Sequence, residues 1–331
     1  MIARQVLLRR NPVGTLRADD FEVTDVELPP LGADDVLVRN RFMSIDPYMR
    51  LMISSQEGYL AAMNPGDAMH GAAVGVVEQS HVADVPVGSM VVSMAGWRNA
   101  FVAPRSDVQL VDASVPAEWH LGLLGLTGVT AYLGIEKVLR PSANETIFVS
   151  GAAGAVGSVA CRLAKLRGAR VLGSAGSGAK AKWLTEIVGI DAAVDYKSED
   201  VVEFLRREAP DGIDCYFDNV GGTMLEAALV AVKPNGRIGL CGAMSQYASG
   251  DYRSGPRDFF AIVEKSLILH GFNAFLLSPE ETADAVAWLR DRAIEGKISP
   301  HAHVAKGIDA APQAFVDLFE GRFQGKLVVE F

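Results

Sequence analysis

Cysteine is scarce in this chain and poorly placed for the usual work of thiols. The three present, Cys161, Cys215 and Cys241, lie far apart with no CxxC pair. Neither a disulfide framework nor a thiolate zinc cluster can be read from them. Positive charge is short as well: 31 Lys and Arg against 40 Asp and Glu leave a net charge of -9. That balance argues against nucleic acid or an anionic membrane as a partner. No stretch reaches the roughly 18 uninterrupted apolar residues of a membrane span. The opening MIARQVLLRRNPVG has only a brief apolar run cut by charge, unlike a signal peptide. These absences predict a soluble protein of a reducing cytoplasm. Internal repeats are missing too.

What is present suits two domains, since 331 residues exceed one typical core. Residues 1 to about 120 read as strands and turns. Gln5–Leu8, Asp35–Asn40, Val74–Glu78 and Met90–Ser93 are the strand candidates, with turn signals at Pro29-Pro30, Pro65-Gly66 and Pro86-Val87-Gly88. Strands without intervening helices predict a barrel-like antiparallel domain. A helix is expected over 122–139, and strands and helices then alternate: strand 147–149, helix near 156–164, strands 170–175, 213–218, 237–241 and 267–271, and helix 279–295. That alternation predicts a doubly wound parallel sheet. A strand near 303, a helix 312–320 and a strand 326–330 return to the first domain. The expected division is a first domain of 1–121 completed by 298–331, and a second of 122–297.

The glycine turn is the most informative stretch. Ile147-Phe148-Val149 suits a strand buried on both faces. Gly151, Gly154 and Gly157 follow, and then a helix with Val156, Val159, Ala160 and Leu163 on one face. A Cβ at Gly154 would obstruct a pyrophosphate, Gly157 lets the helix pack close, and the helix N-terminus offers N–H groups to phosphate. Against GxGxxG, Ala152 stands where the first glycine would be. The second strand then ends Ser174-Ala175-Gly176-Ser177-Gly178-Ala179-Lys180 with no carboxylate. An acid there would bind a ribose 2′-OH and repel a 2′-phosphate. Ser177 can donate to such a phosphate and Lys180 can neutralise part of its charge. The expected cofactor is NADP.

MSIDPYMR (43–50), GLTGVTAYLG (125–134), SGAAGAVGS (150–158), DAAVDYK (191–197), YFDNVGG (216–222), CGAMSQY (241–247) and HVAKG (303–307) run over nearly the full length. In these stretches the chain resembles the zinc-independent branch of the medium-chain dehydrogenase/reductase superfamily. Its leukotriene B4 12-hydroxydehydrogenase/prostaglandin reductase and curcumin reductase-like members are the nearest likeness. The resemblance implies a Rossmann sheet plus a GroES-like β-rich catalytic domain, and NADPH-dependent reduction of the C=C bond of enones and enals. It implies that Ala155, Val156 and Gly157, next to Gly154, cradle the pyrophosphate and that Lys180 meets the 2′-phosphate. Tyr196 would lie near the adenosine, Asn219 near the cofactor, and Cys241, Gly242, Ala243, Met244, Ser245, Gln246 and Tyr247 along the nicotinamide. Phe272, Asn273 and Ala274 would hold the carboxamide through backbone groups. One position departs: where the family commonly has asparagine, before the last Gly-Lys, this chain has Phe323.

Zinc-dependent relatives need a thiolate and an imidazole from the first domain. No cysteine precedes Cys161, and Gly71 takes the register beside His70, so no metal is expected; a pair at His301 and His303 lacks further ligands. Without metal, the carbonyl oxygen that gathers charge must be met by hydrogen-bond donors. Tyr247 is the first candidate, with Tyr48 and then Tyr59 from the first domain; aromatics in a β-domain more often simply pack. Arg50 could pair with Asp46. A quinone reductase and a catalytically inactive NADPH-binding regulatory protein are the alternative readings. The resemblance implies a homodimer, and an apolar edge strand near 267–272 favours such pairing independently.

Overall fold

β-branched and apolar residues recur through the first hundred positions with a period of two, and they form strands. The computed structural model describes residues 1–54, 61–249 and 255–331. Tyr59, and parts of the loops at 50–66 and 247–260, lie outside them. The described chain divides into two units. The first holds Met1–Gly122, Ala302–Phe323 and Leu327–Phe331; the second holds Leu123–His301 and Gln324–Lys326.

In the first unit the strands are β1 (Ile2–Leu8), β2 (Phe21–Glu27), β3 (Asp35–Ser44), β4 (Ala73–Ser80), β5 (Met90–Ser93), β6 (Ala100–Pro104) and β7 (Val108–Leu110). β1 and β2 make an antiparallel ribbon. β3 is the spine of the larger sheet. One edge pairs with β4, with register shifts at Leu37/Val38 and Asn40/Phe42 that let it bend. The other edge pairs with β6 over Asp35–Arg39. Beneath lies a core built on Trp97, whose ring meets Phe315 edge-on at 5.6 Å and stacks on Phe21 at 6.0 Å. Sequence reading missed β2, β6 and β7, which are short or heavily polar on one side.

The second unit contains β8 (Thr146–Val149), β9 (Arg170–Ala175), β10 (Ala192–Asp195), β11 (Ile213–Asp218), β12 (Val232–Leu240) and β13 (Ile268–Gly271). They form one sheet in the order β10-β9-β8-β11-β12-β13, every pairing parallel. This is the doubly wound arrangement, with β8 and β11 at the centre where the strand order reverses. Phe148 and Phe217 on those strands are fully buried, as the uninterrupted apolar runs required.

The helix expected over 122–139 begins later, as Leu126–Tyr132, and continues as a π-helix over Leu133–Leu139. The late start follows from Gly128: a Cβ there would lie 1.8 Å from the Leu123 carbonyl oxygen, so 123–125 fold back over the first turn. The long helix Pro279–Ile294 opens with Ser278 and Glu281 in a capping box. Finally β14 (Ala302–Lys306) and β15 (Lys326–Glu330) join the first sheet, with β15 beside β3 over Phe42–Ser44. Among the described residues no helix is long and apolar enough to cross a membrane.

Candidate functional site

The turn after β8 is shaped by missing side chains. Gly151 takes φ +57°, the left-handed region. A Cβ on Gly157 would sit 2.3 Å from the Gly151 carbonyl oxygen, so only glycine lets the helix start that close to the turn. Ala152 replaces the expected first glycine without strain. Its methyl occupies space left by Gly173 on β9, where an added Cβ would come within 2.8 Å of it. Gly154 is different: it is exposed, and a Cβ there would meet only the Gly151 oxygen, at 3.2 Å. Open space in front of Gly154 is what a pyrophosphate needs.

The helix Ala155–Leu166 has no side-chain cap at Gly154. Its first backbone bond runs from Ser158 N–H to Gly154 O, at 3.0 Å. The N–H groups of Ala155, Val156 and Gly157 precede that bond and face outward for an anion. The turn is held from outside by Gly325, whose N–H donates to Ala153 O at 2.9 Å. These residues fit a dinucleotide. Phe323, two residues earlier, has its ring engaged within the first unit, against His303 at 4.5 Å between centroids. His301, by contrast, packs its ring on Trp183.

A second group gathers at the end of β9. Ser177 caps the next helix by accepting the Lys180 N–H at 3.3 Å, which leaves its own O–H to donate. Parallel pairing sets Asp195 of β10 beside Ala175, and so brings Tyr196 and Lys197 alongside Gly176. A Cβ on Gly176 would be 3.1 Å from Tyr196 Oη and 3.5 Å from Lys197 Cε. Burial, and then the charge of Lys197, hold the Lys180 ammonium below its ordinary pKa. Lys197 is a residue that sequence reading passed over. It stood in the open, one position beyond Tyr196.

A third group hangs on a carboxylate that sequence reading also passed over. Asp218, ending β11, is 1% exposed. Its Oδ1 accepts from Tyr216 Oη (2.7 Å), Gly221 N (2.8 Å), Val220 N (2.9 Å) and Ser150 Oγ (3.1 Å). Desolvation raises its pKa, and those hydrogen bonds pull the other way. The network fixes the next four residues. Asn219 donates its side-chain amide to Ser150 O at 2.7 Å, and Gly221 and Gly222 take φ +69° and +52°.

On this turn rests the 241–247 segment. Cys241 and Gly242 donate their N–H groups to Asp218 O, Met244 donates to Asn219 O, and Ser245 bonds Val220 O through both N and Oγ. Ala243 lies against Gly221, 3.7 Å from where a Cβ there would be. Gln246 and Tyr247 occupy the helix Met244–Ser249. Tyr247 Oη lies 3.7 Å from where a Cβ on Gly242 would be. Burial, with the charge of Asp218, pushes the Cys241 thiol up to about 12, so it is no nucleophile at neutral pH.

Further along, Phe272 wedges its ring between Gly134 and Gly239 and meets Phe217 edge-on at 5.6 Å. Its N–H is already given to Leu240 O, and the Asn273 side chain caps Phe275 N–H. That leaves fewer backbone groups at 272–274 for a carboxamide than expected. Tyr48 belongs to the first unit, at the start of the short helix Met49–Met52, half-buried against the core of Trp97 and Phe315. Nearby, Arg50 donates to the carbonyls of Pro12 and Gly14, and Asp46 accepts from Ser44 Oγ. Among the described residues no group of three or more His, Cys, Asp or Glu is arranged to hold a metal ion.

Known proteins can be set beside this geometry. Residues 4–111 match the family described as "N-terminal domain of oxidoreductase", and residues 155–291 match "Zinc-binding dehydrogenase". The chain is 37% identical to prostaglandin reductase 1 of Bos taurus over 99% of both sequences. It is 38% identical to a 2-alkenal reductase (NADP(+)-dependent) of Nicotiana tabacum, over 98% of this chain and 96% of that one. Among solved structures, CurA from Vibrio vulnificus in complex with NADPH superposes with a TM-score of 0.93 at 32% identity, covering 99% of this chain and 98% of the other.

Proposed function

Because the chain belongs to the zinc-independent medium-chain dehydrogenase/reductase family and is an NADP-dependent oxidoreductase, we propose that it reduces the carbon–carbon double bond of α,β-unsaturated ketones and aldehydes. The observation that carries this reading is the fastening of 241–247 to the Asp218 turn, which holds the Tyr247 hydroxyl beside Gly242. Bound NADPH supplies the hydride. The protein must then stabilise charge on the carbonyl oxygen, and Tyr247 Oη is the donor we assign. We assign cofactor binding to the second unit, through the residues around Gly154, Lys180, Asn219 and 241–247. Tyr48, in the first unit, is the further hydroxyl to be tested by substitution.

The test is NADPH consumption over a panel of 2-alkenals, aryl-butenones, quinones and simple alcohols. Turnover of enones and enals supports the reading. No enone turnover in protein shown to bind NADPH would sink it, and a preference for quinones would replace it with the quinone reductase. In Tyr247→Phe we expect kcat to fall about 100-fold with NADPH affinity unchanged; equal turnover would remove Tyr247 from the mechanism.

We also propose a homodimer paired along β13. This edge strand exposes 57% of Ile268, and the neighbouring Phe259, Phe260, Val263 and Leu276 are exposed as well. Ile268→Lys should convert the dimer to a monomer in light scattering. The composition supports a cytoplasmic setting.

A further inference from the structure

Most lysines of the second unit have settled partners. Lys165, Lys182, Lys233 and Lys297 pair with carboxylates, Lys137 lies over the Tyr132 ring, and Lys265 donates to two main-chain carbonyls. Lys180 and Lys197 are the exceptions. Neither has a carboxylate within ion-pair distance among the described residues, yet the two are close enough to act on each other. Like charges brought together in a partly desolvated place repel, and the fold tolerates this only at a cost.

Strand register puts them there. β9 ends at Ala175 and β10 at Asp195, and just beyond them the Tyr196 N–H donates to Ala175 O at 3.1 Å. Lys197 therefore leaves the sheet beside the turn from which Lys180 rises, and its Cε stands over Gly176. The nearest acidic side chain in sequence, Asp195, turns an oxygen to the Lys197 N–H at 3.1 Å. Glu199 is committed to Arg207. The Ser177 O–H and the Tyr196 hydroxyl complete a set of donors around one small space, which is the donor chemistry of a site for a dianionic phosphate.

We infer that Lys197 is a specificity-determining residue: together with Lys180 it holds the 2′-phosphate of NADPH, and the pair separates NADPH from NADH. This rests on the NADP assignment and is independent of which substrate is reduced. The single acid expected at an NAD site has been replaced by two cations that follow adjacent strands, Lys180 in the helix after β9 and Lys197 in the turn after β10.

The experiment measures binding alone, by calorimetry on the full chain. The ligands are NADPH, NADH, adenosine 2′,5′-bisphosphate and 5′-AMP, and the variants are Lys197→Met and Lys197→Arg. In Lys197→Met the two ligands carrying a 2′-phosphate should bind about 10- to 100-fold more weakly, as expected for one charge-assisted contact. NADH and 5′-AMP should be unaffected, and Lys197→Arg should recover most of the loss. Added salt should narrow the difference between wild type and Lys197→Met. Unchanged NADPH affinity in Lys197→Met would overturn the inference. So would an equal loss for NADH, which would mean a change of shape and not of charge recognition. Lys197 is exposed, so the variant is expected to fold.

Discussion

The two turns that leave neighbouring central strands, 151–157 after β8 and 218–222 after β11, face the same task and solve it in opposite ways. Each must present main-chain groups in a fixed shape at the end of the sheet. The first does so by subtraction. Gly151, Gly154 and Gly157 clear the space, and Ala152 fits because Gly173 makes room. The second does so around one added group, the Asp218 carboxylate, which gathers four donors on a single oxygen. Ser150 ties the two together, since it directly follows β8 and bonds both Asp218 and Asn219. A turn built by subtraction is broken by adding atoms. A turn built on a buried acceptor is broken by removing one.

The largest effect should come from Asp218→Ala. Four donors then lose a buried acceptor, and the cost is expected at about 3–5 kcal/mol in denaturant unfolding. NADPH binding should weaken with it, because the Asn219 and 241–247 segments lose their anchor. Asp218→Asn keeps the shape and should cost less, but in a pH-dependent way. The native carboxyl has a raised pKa, so the folded state binds more protons than the unfolded one between the ordinary value and the raised one. Wild-type stability from this group therefore falls as pH rises through that window. The gap between wild type and Asp218→Asn should narrow with it; a gap that widens would mean that the hydrogen bonds outweigh desolvation.

Gly157→Ala should come next, at about 1–3 kcal/mol, since its Cβ would overlap a backbone oxygen that has little freedom to move. Gly154→Ala sharpens the contrast. Its φ of -82° suits any residue and its Cβ would meet only the Gly151 oxygen, at 3.2 Å against 2.3 Å for Gly157, so the cost should stay below about 1 kcal/mol. Its NADPH affinity should nevertheless drop about tenfold or more, because the added methyl stands where the pyrophosphate approaches. If Gly154→Ala instead loses stability and keeps affinity, the open space there has no ligand role.

Legibility in the sequence follows the same divide. The subtractive turn was readable because its pattern is local: an apolar strand, three glycines at fixed offsets and an amphipathic helix lie within about twenty residues. The missing acid after β9 was readable for the same reason. Lys197 was not, because its place beside Gly176 depends on the register between β9 and β10. β10 is only four residues long, and it gives no strand signal that stands out from its loops. Asp218 was passed over although YFDNVGG was noticed, since nothing in that string says the aspartate is buried. Its burial comes from Tyr216, Ser150 and the backbone beyond, where the chain turns through Gly221 and Gly222 and the N–H groups of Val220 and Gly221 come back onto the carboxylate. In the first unit, β3 and β4 showed as apolar runs, whereas the mixed ribbon strand β2 and three-residue β7 did not.

The smallest test reads the field of the Asp218 carboxylate without disturbing its hydrogen bonds. Cys161, Cys215 and Cys241 all have thiols pushed up to about 12, chiefly by burial. Native protein at pH 8 should therefore react with iodoacetamide far more slowly than a free thiol, and denatured protein should react at all three positions. Only for Cys241 is the charge of Asp218 a further cause, and Cys241 is also the one partly exposed cysteine. Removing the charge in Asp218→Asn should speed alkylation of Cys241 by about two- to fivefold and leave Cys161 unchanged. A matching increase at Cys161 would instead report general loosening of the sheet. In that case Asp218 would act on the unit as a whole, and the division between a subtractive and an anchored turn would fail.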